Sequence, residues 1–249
     1  MPNRETITGL IAAYGGSELW RALKHVVIQV DSLGGPLPIM KGLGQTFAHP
    51  GTVLIEPSQW RAEFQDYPQA GERAIFSAGA VQLRNRTGAI VFEHGRYRET
   101  FRGLRKYRRW STADAVYFFG YALCTYLSVP LIFDPPEYVT RVEAWKGGVR
   151  VTARFPASLD THSASQQFWF DRDGLLVRHD YRADVVGWWA AGAHFSSDYQ
   201  VMNGLPIATR RRVFARVFGS ATPVPVLSAT IRPLEVKTLP LINTDKSTD

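Results

Sequence analysis

The chain has 249 residues, of which 45% are hydrophobic, 12% aromatic and 20% charged, with a net charge of +7. That balance supplies a substantial core and excludes a disordered or collagen-like body, while the positive charge favours anionic partners. A single cysteine, Cys124, excludes an internal disulfide and a cysteine-rich metal site.

The first segment, "MPNRETITGLIAAYGGSELW", carries no basic stretch followed by an apolar run, so a cytoplasmic location is expected. Ile7, Leu10, Ile11, Tyr14, Leu19, Ala22 and Leu23 recur at steps of three and four. Residues 4–25 therefore read as one helix, or as two broken at Gly15-Gly16. The period then changes to that of strands. "HVVIQV" (25–30), "TVLIEP" (52–57), "WRAEFQDY" (60–67), "RAIFS" (73–77), "AVQLRN" (80–85), "AIVFEH" (89–94) and "YRETFRG" (97–103) are short and rich in β-branched or aromatic residues.

The uncharged stretch from Ala115 to Phe133 interrupts the series, directly after the basic run 102–109. Ser111 or Thr112 can cap a helix whose first turn holds Asp114, and Pro130 ends it near Val129. About seventeen helical residues span about 26 Å, at the short end for a bilayer, and no transmembrane span is expected. A second set of strands follows at 138–145, 148–155, 166–171, 175–182, 193–201, 207–217 and 226–238, with Asp173-Gly174 the strongest hairpin signal. The polar tail 243–249 is expected to be disordered.

These elements predict an α+β chain, mostly antiparallel β, forming a single domain over 1–249. So many strands curl toward a barrel or split into layers. The expected form is one curved, unclosed sheet whose concave face is covered by the N-terminal and inserted helices.

Two stretches resemble a known family. "YGGSELWRALKHVVIQV" and "YQVMNGLPIATRRRV" are similar to segments of the lipoprotein-carrier-like (LolA/LolB-like) proteins. The resemblance implies an open β-barrel around an apolar cavity plugged by helices, a place for acyl chains. No binding residue is carried over from it.

On the helix 112–129, Tyr117, Tyr121, Cys124, Thr125 and Ser128 fall along one face, and Val116, Phe119, Ala122, Leu123, Tyr126 and Leu127 mostly fill another. Either the helix is ordinary core, or Tyr117, Tyr121 and Thr125 face an amphipathic ligand held in the curved sheet. Arg105 and Arg108 then stand ready for an anionic head group at the rim. Trp188 and Trp189, flanked by glycines, suit a loop that touches the ligand or makes transient contact with a membrane surface.

Strand alternation puts His179 and Tyr181 on one face, and likewise Tyr199 and Arg211 on theirs. If those faces are concave, the four residues form either a satisfied internal network or an acid–base group for a hydrophobic substrate. "GLGQTF" lacks the Lys-Ser/Thr ending of a phosphate loop, no G-x-S-x-G occurs, and the six histidines are dispersed. No cofactor, metal or nucleic-acid partner is expected. Two readings remain open: a binding protein for a lipid or other hydrophobic small molecule, or a cofactor-independent enzyme of cyclase or isomerase type on a hydrophobic biosynthetic intermediate.

Overall fold

The computed structural model describes residues 2–44 and 51–240; the expected tail disorder at 243–249 lies outside them. The N-terminal pattern forms two helices, α1 (Pro2–Ala13) and α2 (Gly16–Ala22), separated at Gly15. Gly15 has φ 89°, and a Cβ there would stand 2.9 Å from the Gly204 carbonyl oxygen, so the break needs glycine. Leu10, Ile11 and Tyr14 turn inward to the core.

Strand β1 (Leu23–Gly34) follows without a loop, and the short α3 (Pro36–Met40) comes after it. Then come β2 (Gly51–Glu56), β3 (Arg61–Gln65), β4 (Arg73–Ser77), β5 (Ala80–Arg84) and β6 (Ile90–His94). Buried Val26, Ile28 and Val30, then Val53 and Ile55, Ala62 and Phe64, and Ala74 and Phe76 keep the two-residue period along successive strands. The opposite face mixes polar with apolar residues; Arg61, for example, pairs with Glu56 and Glu63 there.

The segment expected to be a strand at 97–103 instead makes two 3-10 turns, Tyr97–Thr100 and Gly103–Tyr107. Arg96 takes a left-handed φ of 51°, which ends the extended run. The Tyr97 ring is thereby folded among Phe92, Phe101 and Tyr117, with its hydroxyl donating to Asp114 at 3.0 Å.

Helix α4 (Thr112–Ser128) begins with a full capping box between Ser111 and Asp114. It is followed by β7 (Val139–Trp145), β8 (Gly148–Arg154), β9 (Ser165–Phe170), β10 (Leu176–Arg182), β11 (Ala191–Met202), β12 (Leu205–Val217) and β13 (Ser220–Thr238). The thirteen described strands make one antiparallel sheet in the order β6-β5-β4-β3-β2-β1-β13-β12-β11-β10-β9-β8-β7. Every neighbour is a sequential hairpin partner except β1 and β13, which meet mid-sheet in a register running from Leu23 opposite Thr238 to Gly34 opposite Ser228. Three register shifts in that pair bend it.

The sheet is an unclosed barrel with β6 and β7 as its free edges. Helix α4 joins those edges and lies inside the curl. Phe76 of β4 meets the Tyr117 ring at 5.7 Å, while on the other side the Tyr126 ring lies 4.5 Å from that of His194 of β11. Thirteen of its seventeen residues are buried. No helix among the described residues is long and apolar enough to cross a membrane.

Gly120 fixes how closely α4 approaches the sheet, because a Cβ there would sit 2.3 Å from Phe76 Cβ. Mid-helix Gly→Ala ordinarily stabilises by about 1 kcal/mol. Here Gly120→Ala is expected to destabilise, by about 1–3 kcal/mol from overpacking, as read from the urea unfolding midpoint.

Candidate functional site

Two adjoining hollows lie between α4 and the concave face. The inner one, of about 60 Å³, is walled by Phe119, Leu123 and Tyr126 of α4 and by Val30, Ile231 and Leu227 of the central strands. Phe119, Leu123 and Tyr126 are spaced i, i+4, i+7 and form the stripe of α4 that the core does not fully cover. The outer hollow, of about 200 Å³, opens between α3 and the 183–191 connection, with Leu37, Met40, Val186 and Trp189 at its mouth. Phe118, Val213 and Leu227 border both hollows and form the partition between them.

The polar side chains gather beyond the inner hollow, where β9–β12 curve against α4. His162, in the β8–β9 connection, stacks on Tyr181 with ring centroids 3.7 Å apart. Its two ring nitrogens are each met by a tyrosine of α4: Tyr126 Oη lies 2.9 Å from Nε2 and Tyr121 Oη lies 3.3 Å from Nδ1. One hydroxyl donates and the other accepts, so neutral His162 is satisfied.

His179 is stacked on Phe168, 4.2 Å between centroids. Gln166 donates its amide N–H to the Ser163 carbonyl at 2.6 Å, which turns its side-chain oxygen toward His179. His179 Nε2–H therefore donates to Gln166 Oε1 at 2.6 Å, and Nδ1 is left without a partner. His194 is buried with neither ring nitrogen bonded. Burial holds all three imidazoles below their ordinary value of 6.5, His179 at about 3, and the charge of Arg211 pushes His179 and His194 in the same direction.

Of the residues singled out from the sequence, the structure brings His179 and Tyr181 together, with ring centroids 4.8 Å apart. Arg211 reaches the same region, its guanidinium 4.8 Å from the Tyr126 ring centroid. Tyr199 lies further along, donating to the Leu176 carbonyl at 2.7 Å and sharing a 3.0 Å hydroxyl contact with Tyr14.

On α4, Tyr117 donates to Asp160, which Arg98 also approaches at 3.9 Å; burial pushes the Asp160 carboxyl above its ordinary 3.8. Tyr121 faces His162, and the Thr125 hydroxyl donates to the Tyr121 carbonyl at 2.8 Å. The cleft is lined by the neighbouring face, Phe118, Phe119, Ala122, Leu123 and Tyr126. Arg105 is engaged with Asp114 at 2.8 Å, fastening the start of α4, whereas Arg108 is exposed. Trp189 lines the outer mouth beside Trp188, which is 75% exposed.

His162, His194 and Tyr126 carry the site's polar geometry but were not selected from the sequence. His162 sits in a connection, where strand alternation does not apply. In β11 the alternation starting at Ala193 puts Phe195 and Tyr199 on one face, yet His194 and Ser196 are buried while Phe195 and Ser197 are only half-buried. Asp198, at φ 56°, reorients the chain so that Tyr199 turns back inside. Among the described residues, no three His, Cys, Asp or Glu side chains converge to hold a metal ion.

No protein-family description matches the chain, and no curated protein matches its sequence. Two solved structures are similar to it over nearly their full lengths. A LolA superfamily protein from Nitrosomonas europaea is 8% identical, with a TM-score of 0.49, covering 95% of this chain and 94% of that one. A DUF1329 family protein from Desulfovibrio piger is 11% identical, with a TM-score of 0.46, covering 99% of this chain and 94% of that one. The likeness to the LolA-like fold is remote, one of fold and not of residues.

The depressed imidazoles make stability depend on pH with a definite sign. Well above 6.5 the three histidines are neutral both folded and unfolded. As pH falls below 6.5 the unfolded chain takes up protons that the folded chain refuses until about 3, in the case of His179. Stability is therefore lost on acidification, with a slope that approaches about 1.4 kcal/mol per pH unit for each histidine as the pH nears 5. Urea unfolding between about pH 6.5 and 5 is expected to show this slope, reduced by roughly a third in His194→Phe.

Proposed function

We propose that the protein binds a lipid-like amphipathic small molecule in the groove between α4 and the concave face of the sheet. The observation that carries this reading is the pair of adjoining apolar hollows that share Phe118, Val213 and Leu227 in their walls. The outer hollow has Met40 and Trp189 in its wall, and the inner one has Arg211 in its wall. Binding sites for hydrophobic ligands have this form: an apolar body with a few placed polar groups. The outward-facing Trp188 and Met40 beside the mouth suit uptake of such a molecule from a membrane surface.

Acid–base turnover is the less favoured reading. A general base works best with a pKa near the working pH. His179 is held at about 3, and both nitrogens of His162 are engaged by tyrosines.

Titration with aminoanthracene, an uncharged fluorophore, is expected to give a saturable one-to-one rise in emission that dodecanol reverses. Leu227→Trp fills the partition and is expected to weaken the fluorophore at least about tenfold, while cooperative thermal unfolding persists. No saturable binding to the native protein, or undiminished binding to a folded Leu227→Trp, overturns the reading.

A further inference from the structure

Arg211 differs from the other arginines that reach into the body of the protein. Arg98 approaches Asp160 and Asp184, Arg105 is paired with Asp114, Arg178 with Asp180, and Arg61 with two glutamates. Arg211, only 7% exposed, has no carboxylate within ion-pair distance among the described residues. Its bonded contact is the Ser196 hydroxyl at 3.3 Å, its cation lies against the Tyr126 ring, and its Nε–H has no acceptor. A buried guanidinium left in this state costs several kcal/mol.

The neighbouring residue is equally incomplete. His194, facing the same inner hollow, bonds through neither nitrogen. As a neutral imidazole it offers one N–H whichever tautomer it adopts. Apart from the Tyr126 hydroxyl, which is engaged with His162, Arg211 and His194 are the polar side chains of an otherwise apolar wall. Two side chains with unanswered polar atoms, one of them charged, therefore stand in the wall of an otherwise apolar hollow.

We propose that the ligand is a long-chain carboxylic acid bound head-inward, its carboxylate seated on Arg211 with His194 as a second donor and its alkyl tail running past Phe118 to the outer mouth. The inference rests on the groove being the binding site. A planar carboxylate matches the fork of a guanidinium and supplies the missing counter-charge. One cation balances one carboxylate, whereas a phosphate monoester brings nearly two charges into a space of about 60 Å³ that holds one. Burial also lowers Arg211 from its ordinary value, consistent with a cation awaiting compensation.

The experiment displaces aminoanthracene with dodecanoic acid, dodecanol or dodecyl phosphate. The native protein is expected to take the acid about tenfold more tightly than the alcohol, the worth of a charge-assisted hydrogen bond, and to prefer it to the phosphate. Arg211→Met is expected to hold acid and alcohol alike and to melt no lower than the native protein, since an uncompensated buried charge has been removed. Arg211→Lys keeps part of the preference. His194→Phe weakens the acid more than the alcohol, narrowing the preference; it carries the test should Arg211→Met not fold.

Equal affinity for acid and alcohol in the native protein overturns the inference and leaves the groove intact. A stronger response to the phosphate, or a preference for the acid that survives in folded Arg211→Met, overturns it as well. Failure of the uncharged fluorophore and of dodecanol to bind overturns instead the groove reading on which the inference rests.

Discussion

The path of the chain from β6 to β7 constrains the whole molecule. Those two strands are the outermost of the thirteen described, at opposite edges of the sheet, yet they follow one another in sequence with α4 between them. The connection has to travel from one edge to the other, and it does so across the concave side. The sheet bends around it, so α4 meets β4 on one flank and β10–β12 on the other. This accounts for a helix apolar nearly all the way round, for a glycine at its closest approach to Phe76, and for a capping box reinforced by Arg105. An inner helix has no water to satisfy its first amides, so its start is tied down by side chains.

A helix enclosed in this way fills most of the barrel but not all of it. The stripe of Phe119, Leu123 and Tyr126 faces β1, β12 and β13 across a gap. Side chains on a helix cannot mesh everywhere with a strongly twisted sheet, and the shortfall is the groove. Its walls are carbon because both surfaces were built for burial. The same geometry gathers polar groups at one end, where tyrosines projecting from α4 meet histidines projecting from β10, β11 and the β8–β9 connection.

Those polar groups divide into two kinds. Tyr121, Tyr126, His162, Gln166 and His179 largely answer one another, which makes them a rigid neutral framework. Arg211 and His194 stand at the margin of that framework and face the gap. The contrast separates side chains answered within the fold from two with unanswered polar atoms, both of which line the inner hollow. Neutral histidines also have a structural use here: three buried imidazolium ions beside Arg211 would repel it and one another in a low-dielectric interior.

Much of the architecture was legible in the residues themselves. Alternation of buried and exposed positions marks most of the strands, Gly15-Gly16 marks the helix break, and Ser111, Asp114 and Pro130 mark both ends of α4, since each is a local physical signal. Alternation likewise put His179 beside Tyr181 and turned Arg211 inward. It could not carry through residue 198, where a left-handed backbone changes which side chains point inside, nor foresee the 3-10 turns after Arg96. Which face of α4 would border the groove was likewise not written in its periodicity, because both of its faces are apolar or aromatic and the choice belongs to the strands that close upon it. Local sequence therefore determined the elements and their ends. Only the curling of the sheet, which brings residues distant along the chain into one enclosed space, decided that Arg211 would lie buried without a carboxylate and that His194 would stand beside it.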